Sequence, residues 1–185
     1  MNVEEIRKKV KRLKSKYKTN DPYQLLDYLN IRLHYFPSPT TSLLGMYTKV
    51  LNGRFIYISS ELDYKERSVI AHELGHDQLH RFLMKKKGLG SFNCISNMSN
   101  RYEDEANHFA AELLISDASI VDMVCCEIPL RSFAFEHNVL EELVIIKLKN
   151  LVDLGIIDVD VNSLTKPQAN FLKYEELVPE TWDVC

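Results

Sequence analysis

One stretch, IAHELGHDQLH at residues 70–80, constrains this chain more than any other. It contains H-E-x-x-H: His72, Glu73 and His76. On an α-helix, residues four apart lie one above the other, offset by only about 40°. His72 and His76 can therefore aim two imidazoles at one ion, while Glu73, beside the first of them, reaches a water without binding the ion itself. Zinc lowers the pKa of such a water to about 7, and a carboxylate in Glu73's place takes the proton as the water attacks a carbonyl. Ile70, Ala71, Leu74 and Leu79 continue a helical apolar pattern, so the stretch reads as a helix buried on one side. Gly75 costs about 1 kcal/mol inside a helix. Close approach of another segment, or of a substrate, would account for it.

A catalytic zinc takes three protein ligands and keeps one position open. The third must come from elsewhere, and RYEDEANHFAAELL (101–114) offers acidic groups on a second strong helix. Tyr102, Ala106, Phe109, Ala110 and Leu113 form its packed stripe. Glu105, His108 and Glu112 share a face that reads as solvated. Glu103 and Asn107 are four apart and border the packed stripe, which suits a metal ligand and an amide that accepts the N–H of a ligand histidine. Glu105 points about 200° away from Glu103, so Glu103 is the preferred third ligand. Read alone, the helix would be an ordinary solvated acidic face.

The rest of the chain supplies a frame for these two helices. Val3, Ile6, Val10, Leu13 and Tyr17 mark an amphipathic N-terminal helix with a basic outer face. Asp21 and Pro22 open a second, as N-cap and first helical residue. IRLHYF (31–36), LLGMYTKV (43–50) and RFIYIS (54–59) read as strands, the last two joined by Asn52-Gly53, a strong hairpin signal. A small antiparallel sheet is expected. Helices are expected over 63–84, 101–115, 118–125 and 139–151, with a polar loop at 85–99. With 185 residues, 45% apolar and 26% charged, the chain has the composition of a globular protein. No apolar run approaches the ~18 residues that span a bilayer, and the N-terminus does not read as a secretory signal. The net charge of −3 exerts no pull toward nucleic acid or membrane. Cys94, Cys125, Cys126 and Cys185 have no C-x-x-C spacing, which fits a reducing cytoplasm.

HELGHDQLH followed by EDEANHFAAELL resembles the ImmA/IrrE family of zinc metallopeptidases. The matching residues are His72-Glu73-Leu74-Gly75-His76 with His80, then Glu103, Ala106, Asn107, Phe109, Ala110, Ala111, Leu113 and Leu114. Gly45-Met46-Tyr47 and Phe55-Ile56-Tyr57-Ile58 resemble the family's sheet segment, and the likeness covers about residues 20–120. The resemblance implies a thermolysin-like, gluzincin arrangement in which His72, His76 and Glu103 hold one Zn²⁺ and Glu73 is the catalytic base. Where the family often reads L-L-M-P, this chain has Leu113-Leu114-Ile115-Ser116, a departure that concerns helix termination. His80, Tyr102, His108 and the loop 85–99 are candidates for the oxyanion stabiliser, and Asn107, His80 and Tyr102 for contact with the ligands or with substrate.

The fold expected is α+β and zincin-like: a metallopeptidase core with N-terminal helices over 1–120, and a helical C-terminal extension over 121–185 packed on the same domain. The function implied by the resemblance is a cytoplasmic bacterial endopeptidase, borne by a prophage or mobile element. It would act as an anti-repressor, cleaving a helix-turn-helix repressor at one site. The alternative is a zinc-stabilised interaction module that inactivates a repressor or antitoxin-like partner by binding without cleavage. The loop 85–99 is expected to gate or read the substrate. The basic run from Arg7 to Lys18 reads first as a solvated face and second as a dock for an acidic partner or DNA. Residues 133–151 have a helix-turn-helix-like pattern but no basic excess, so direct DNA binding is not expected. Cys125 and Cys126 read as reduced helical thiols.

Overall fold

Helix α3 (Glu66–His80), which carries H-E-x-x-H, is the element around which the others are arranged. Twelve of its fifteen residues are buried, so it is enclosed on all sides, beyond the single buried side its apolar pattern suggests. A computed structural model describes residues 1–37, 44–82 and 100–159. The expected loop 85–99 and the end of the chain, including Cys94 and Cys185, lie outside the described residues.

Upstream of α3 lie helices α1 (Val3–Tyr17) and α2 (Pro22–Leu29). Three strands follow: β1 (Arg32–Phe36), β2 (Gly45–Val50) and β3 (Gly53–Ser59). The N-terminal helices start on local chemistry. Asn2 and Glu5 form a reciprocal capping box on α1, and the Asp21 side chain accepts from the Tyr23 N–H at α2, with Pro22 in its first turn.

The fold is α+β, as expected, but its sheet is mixed. β2 and β3 make the expected antiparallel hairpin, whereas β1 joins the other side of β3 in parallel. Helix α2 and the strand pattern both read correctly, yet strand pattern carries no pairing direction, and β1 and β2 lie on opposite sides of β3. The hairpin turn also sits one residue earlier than the Asn-Gly signal suggests. Val50 pairs with Gly53, so Leu51 and Asn52 make the turn, and Leu51 takes the left-handed conformation at φ 52°.

After a 3₁₀ turn (Asp63–Lys65) and α3 come α4 (Asn100–Leu114), α5 (Asp117–Cys125), α6 (Leu130–Glu136) and α7 (Glu141–Asp153). Where the family pattern has a proline, Ser116 caps α5 by accepting from the Ser119 N–H. One face of the sheet, through Tyr47, Ile56 and Ile58, lies on α3. The opposite side of α3 lies on α4, and α1 and α7 cover α4 in turn. The C-terminal helices thus belong to the same core, where Leu143, Val144, Leu148 and Leu151 join it. Helix α7 is buried from Leu143 to Leu148.

The α3–α4 contact explains Gly75. A Cβ there would stand 3.1 Å from Ala106 Cα, 3.2 Å from the Ala106 carbonyl oxygen and 3.2 Å from Phe109 Cβ. The close neighbour is therefore helix α4. Gly75→Ala gains about 1 kcal/mol of helix propensity but forces two packed backbones apart, a strain of about 1–3 kcal/mol. The expected outcome is a lower thermal unfolding midpoint, and a lower one still for Gly75→Val, both read by circular dichroism.

Candidate metal centre

Helix α3 presents His72 and His76 one turn apart, and the first turn of α4 presents Glu103 across from them. Their donor atoms form a triangle. His72 Nε2 and His76 Nε2 are 3.1 Å apart, and Glu103 Oε2 lies 3.3 Å from the first and 3.7 Å from the second. A tetrahedral zinc with donors at about 2.0–2.1 Å would separate them by roughly 3.3–3.4 Å. Among the described residues this trio is the one group of histidine, cysteine and acidic side chains close enough to hold an ion.

The other ring nitrogens support the same reading. His72 Nδ1 lies 2.7 Å from the Asn107 side-chain oxygen, and His76 Nδ1 lies 3.1 Å from His80 Nδ1. When an ion is bound, a proton held at Nδ1 would leave each imidazole a bare Nε2 lone pair aimed into the triangle. The residues present fit a divalent ion.

Electrostatics follow burial. Burial pushes His76 down to about 4, against the pull of Glu103. Burial also opposes charge on His72, but the Glu103 hydrogen bond and the Glu73 charge outweigh it and raise its pKa. Glu103 is half-buried, yet hydrogen bonds from His72 and His76 hold its carboxyl well below the ordinary range. Glu73 is lifted by burial to about 7, with His72 pulling the other way and the Tyr47 backbone N–H donating to it.

Glu73 is not part of the triangle. It lies against strand β2, where Gly45 makes room for it: a Cβ at Gly45 would stand 2.6 Å from Val69 Cγ1 and 2.9 Å from Glu73 Oε1. The carboxylate is thus wedged between α3 and β2, an edge strand among the described residues.

A model of the IrrE N-terminal-like domain matches residues 26–124, from within α2 to the end of α5. This chain belongs to the ImmA/IrrE family of metallopeptidases. It is 36% identical over 159 residues to the uncharacterized immunity region protein 2 of Bacillus phage phi105, covering 80% of this chain and 91% of that protein. It is 30% identical over 112 residues to Metallopeptidase ImmA of Bacillus subtilis strain 168, covering 60% of this chain and 64% of that one. No solved structure matches it.

In this ImmA/IrrE member, the other expected residues separate into two groups. His80 and Tyr102 do gather near the site: the Tyr102 ring meets the His80 ring edge-on at 4.9 Å. His108 does not. Its polar neighbours are Asn150 and Lys149 of α7, with Asp104 and Glu112 on its own helix. The expected solvated face of Glu105, His108 and Glu112 is overturned as well, because α1 and α7 cover it. Glu105 and Glu112 are both 6% exposed. Glu112 takes Lys147 at 2.6 Å, Asn150 at 3.2 Å and Arg7 at 3.0 Å. The basic run is divided in the same way. Arg7, Lys9 and Lys14 turn inward to Glu112, the Gln78 carbonyl and the Glu112 carbonyl, while Lys8, Lys11, Arg12, Lys16 and Lys18 stay exposed.

The reading by motif missed Asp77, the residue after the second ligand. It is fully buried and accepts from Tyr47 Oη at 2.7 Å, Arg54 at 3.1 Å and Gln78 at 2.6 Å. Arg54 also bonds the Leu29 carbonyl. This cluster fastens α3 to β2, β3 and the end of α2. Asp77→Ala strands the Tyr47 hydroxyl and Arg54 together, and loss of one partner of a buried pair costs about 3–5 kcal/mol. Urea unfolding is expected to show a destabilisation of that size.

Proposed function

We propose that this chain is a zinc-dependent endopeptidase that cuts a helix-turn-helix repressor at a single site. The reading rests above all on the triangle of His72, His76 and Glu103 with a buried carboxylate, Glu73, beside it and outside it. Three protein ligands leave a fourth position open, as a catalytic site requires and a purely structural one does not.

In this reading His72, His76 and Glu103 hold the ion, which when bound acidifies water and polarises the substrate carbonyl. Asn107 fixes the His72 ring by accepting from Nδ1–H. Glu73 is the general base. It takes a proton from the attacking water on its carboxylate and passes it to the leaving amide nitrogen. Its raised pKa suits a group that must both accept and release a proton near neutrality. The Tyr47 N–H and the missing side chain at Gly45 hold that carboxylate in place.

A protein substrate of regulatory kind is supported by the company the chain keeps: one relative is named for a phage immunity region and another is a metallopeptidase. No helix among the described residues is long and apolar enough to cross a membrane, and a cytoplasmic site of action fits a repressor substrate. The choice of zinc follows from the His/His/Glu donor set, which also accepts neighbouring first-row ions.

The deciding experiment compares wild type with Glu73→Gln, both loaded with zinc, each incubated with the repressor encoded beside the gene. Mass spectrometry of the products is expected to show one discrete cut by wild type, and a rate at least about 10²-fold lower for Glu73→Gln at equal zinc content. An intact repressor bound equally by both proteins would support inactivation by sequestration instead.

A further inference from the structure

We infer that Glu105 and His80 form a positioning relay that orients the ligand His76 and makes its Nε2 a stronger donor. The inference rests on His76 binding a metal, as proposed above. His76 Nδ1 lies 3.1 Å from His80 Nδ1, and His80 Nε2 lies 3.0 Å from Glu105 Oε2. All three residues are buried; His80 is 1% exposed.

Proton counting gives the relay one direction. When His76 binds through Nε2, its ring proton sits on Nδ1 and faces His80. His80 Nδ1 must then be a bare acceptor, because a second N–H there would oppose the first. The His80 proton is therefore on Nε2, where it donates to the Glu105 carboxylate. Every donor meets an acceptor along the line from His76 to Glu105. Glu105 is itself held at its other oxygen by Arg101, 3.0 Å away, and by the Met1 amino group. The Tyr102 ring closes the side of His80.

The two ligands are thus oriented differently. His72 leans on the neutral amide oxygen of Asn107. His76 leans on an imidazole polarised by a carboxylate, two hydrogen bonds deep. A carboxylate at the end of such a line raises ligand basicity as well as fixing the ring. Neither His80 nor Glu105 touches the reacting atoms, so both act through His76.

The test starts with wild type. Zinc-loaded protein labelled with ¹⁵N-histidine is expected to show His76 protonated at Nδ1 and His80 neutral and protonated at Nε2. A His80 proton at Nδ1, on either a neutral or a doubly protonated ring, overturns the relay, and this reading requires no variant. Zinc affinity, measured by competition with a chromophoric chelator, is expected to fall about 10–100-fold in His80→Phe and in Glu105→Ala. In His80→Asn, whose amide oxygen restores an acceptor for His76 without the carboxylate behind it, only part of that loss is expected to be recovered. Equal affinity in wild type and a folded His80→Phe overturns the relay alone. A wild-type chain that takes up no zinc overturns the metal reading, and the relay with it.

Discussion

The site depends on how closely α4 lies against α3. The candidate ligands His72 and His76, four residues apart on one helix, are met by Glu103 only because the helices touch backbone to backbone at Gly75 and Ala106. Any larger side chain at that crossing acts directly on the ligand triangle. The glycine inside the metal motif is therefore a spacing device. Its cost in helix propensity is offset by the contact it permits.

Close approach carries an electrostatic cost that the surrounding residues offset. Helix α3 places His72, Glu73, His76, Asp77 and His80 in the interior, and α4 adds Glu105, Asn107 and Glu112. Burial without partners would cost several kcal/mol per charge. Each ionisable group instead lies in one of three clusters: the ligand triangle with its supporting side chains, the Asp77–Arg54–Tyr47 fastening to the sheet, and the Glu112–Lys147–Arg7 hub beneath α1 and α7. The clusters sit at successive levels of the layered fold, so polar interactions link the sheet, both ligand helices and the outer helices.

Much of this was legible in the sequence because it is local. The spacing of His72 and His76, the pairing of Glu103 with Asn107, the caps at Asp21 and Pro22 and the hairpin pattern all follow from helix or strand period within a few residues. What was not legible is long-range. Glu105 and Glu112 fall on the face of α4 opposite its apolar stripe, and periodicity alone marks that face as solvated. Their burial comes from α1 and α7, whose partners for Glu112 lie 105 residues upstream and 35 residues downstream. Asp77 looked like an ordinary polar residue between a ligand and Gln78. Its partners, Tyr47 and Arg54, arrive from the hairpin. The parallel placement of β1 was hidden for the same reason, since strand pattern carries no direction.

The Glu112 hub also bears on the order in which the molecule assembles. Its partners are 105 residues upstream at Arg7 and 35 residues downstream at Lys147. Contacts of such long sequence separation form late, because loop closure has to precede them. A nascent chain that has emerged only through α4 already carries all three ligands, yet one side of that helix is still bare and Glu112 is without Lys147 and Asn150. Rigid support for the ligand pair arrives only when α7 docks. Synthesis from one end to the other thus sets a delay between making the candidate ligands and completing the cage around them, and α7 serves as a timer.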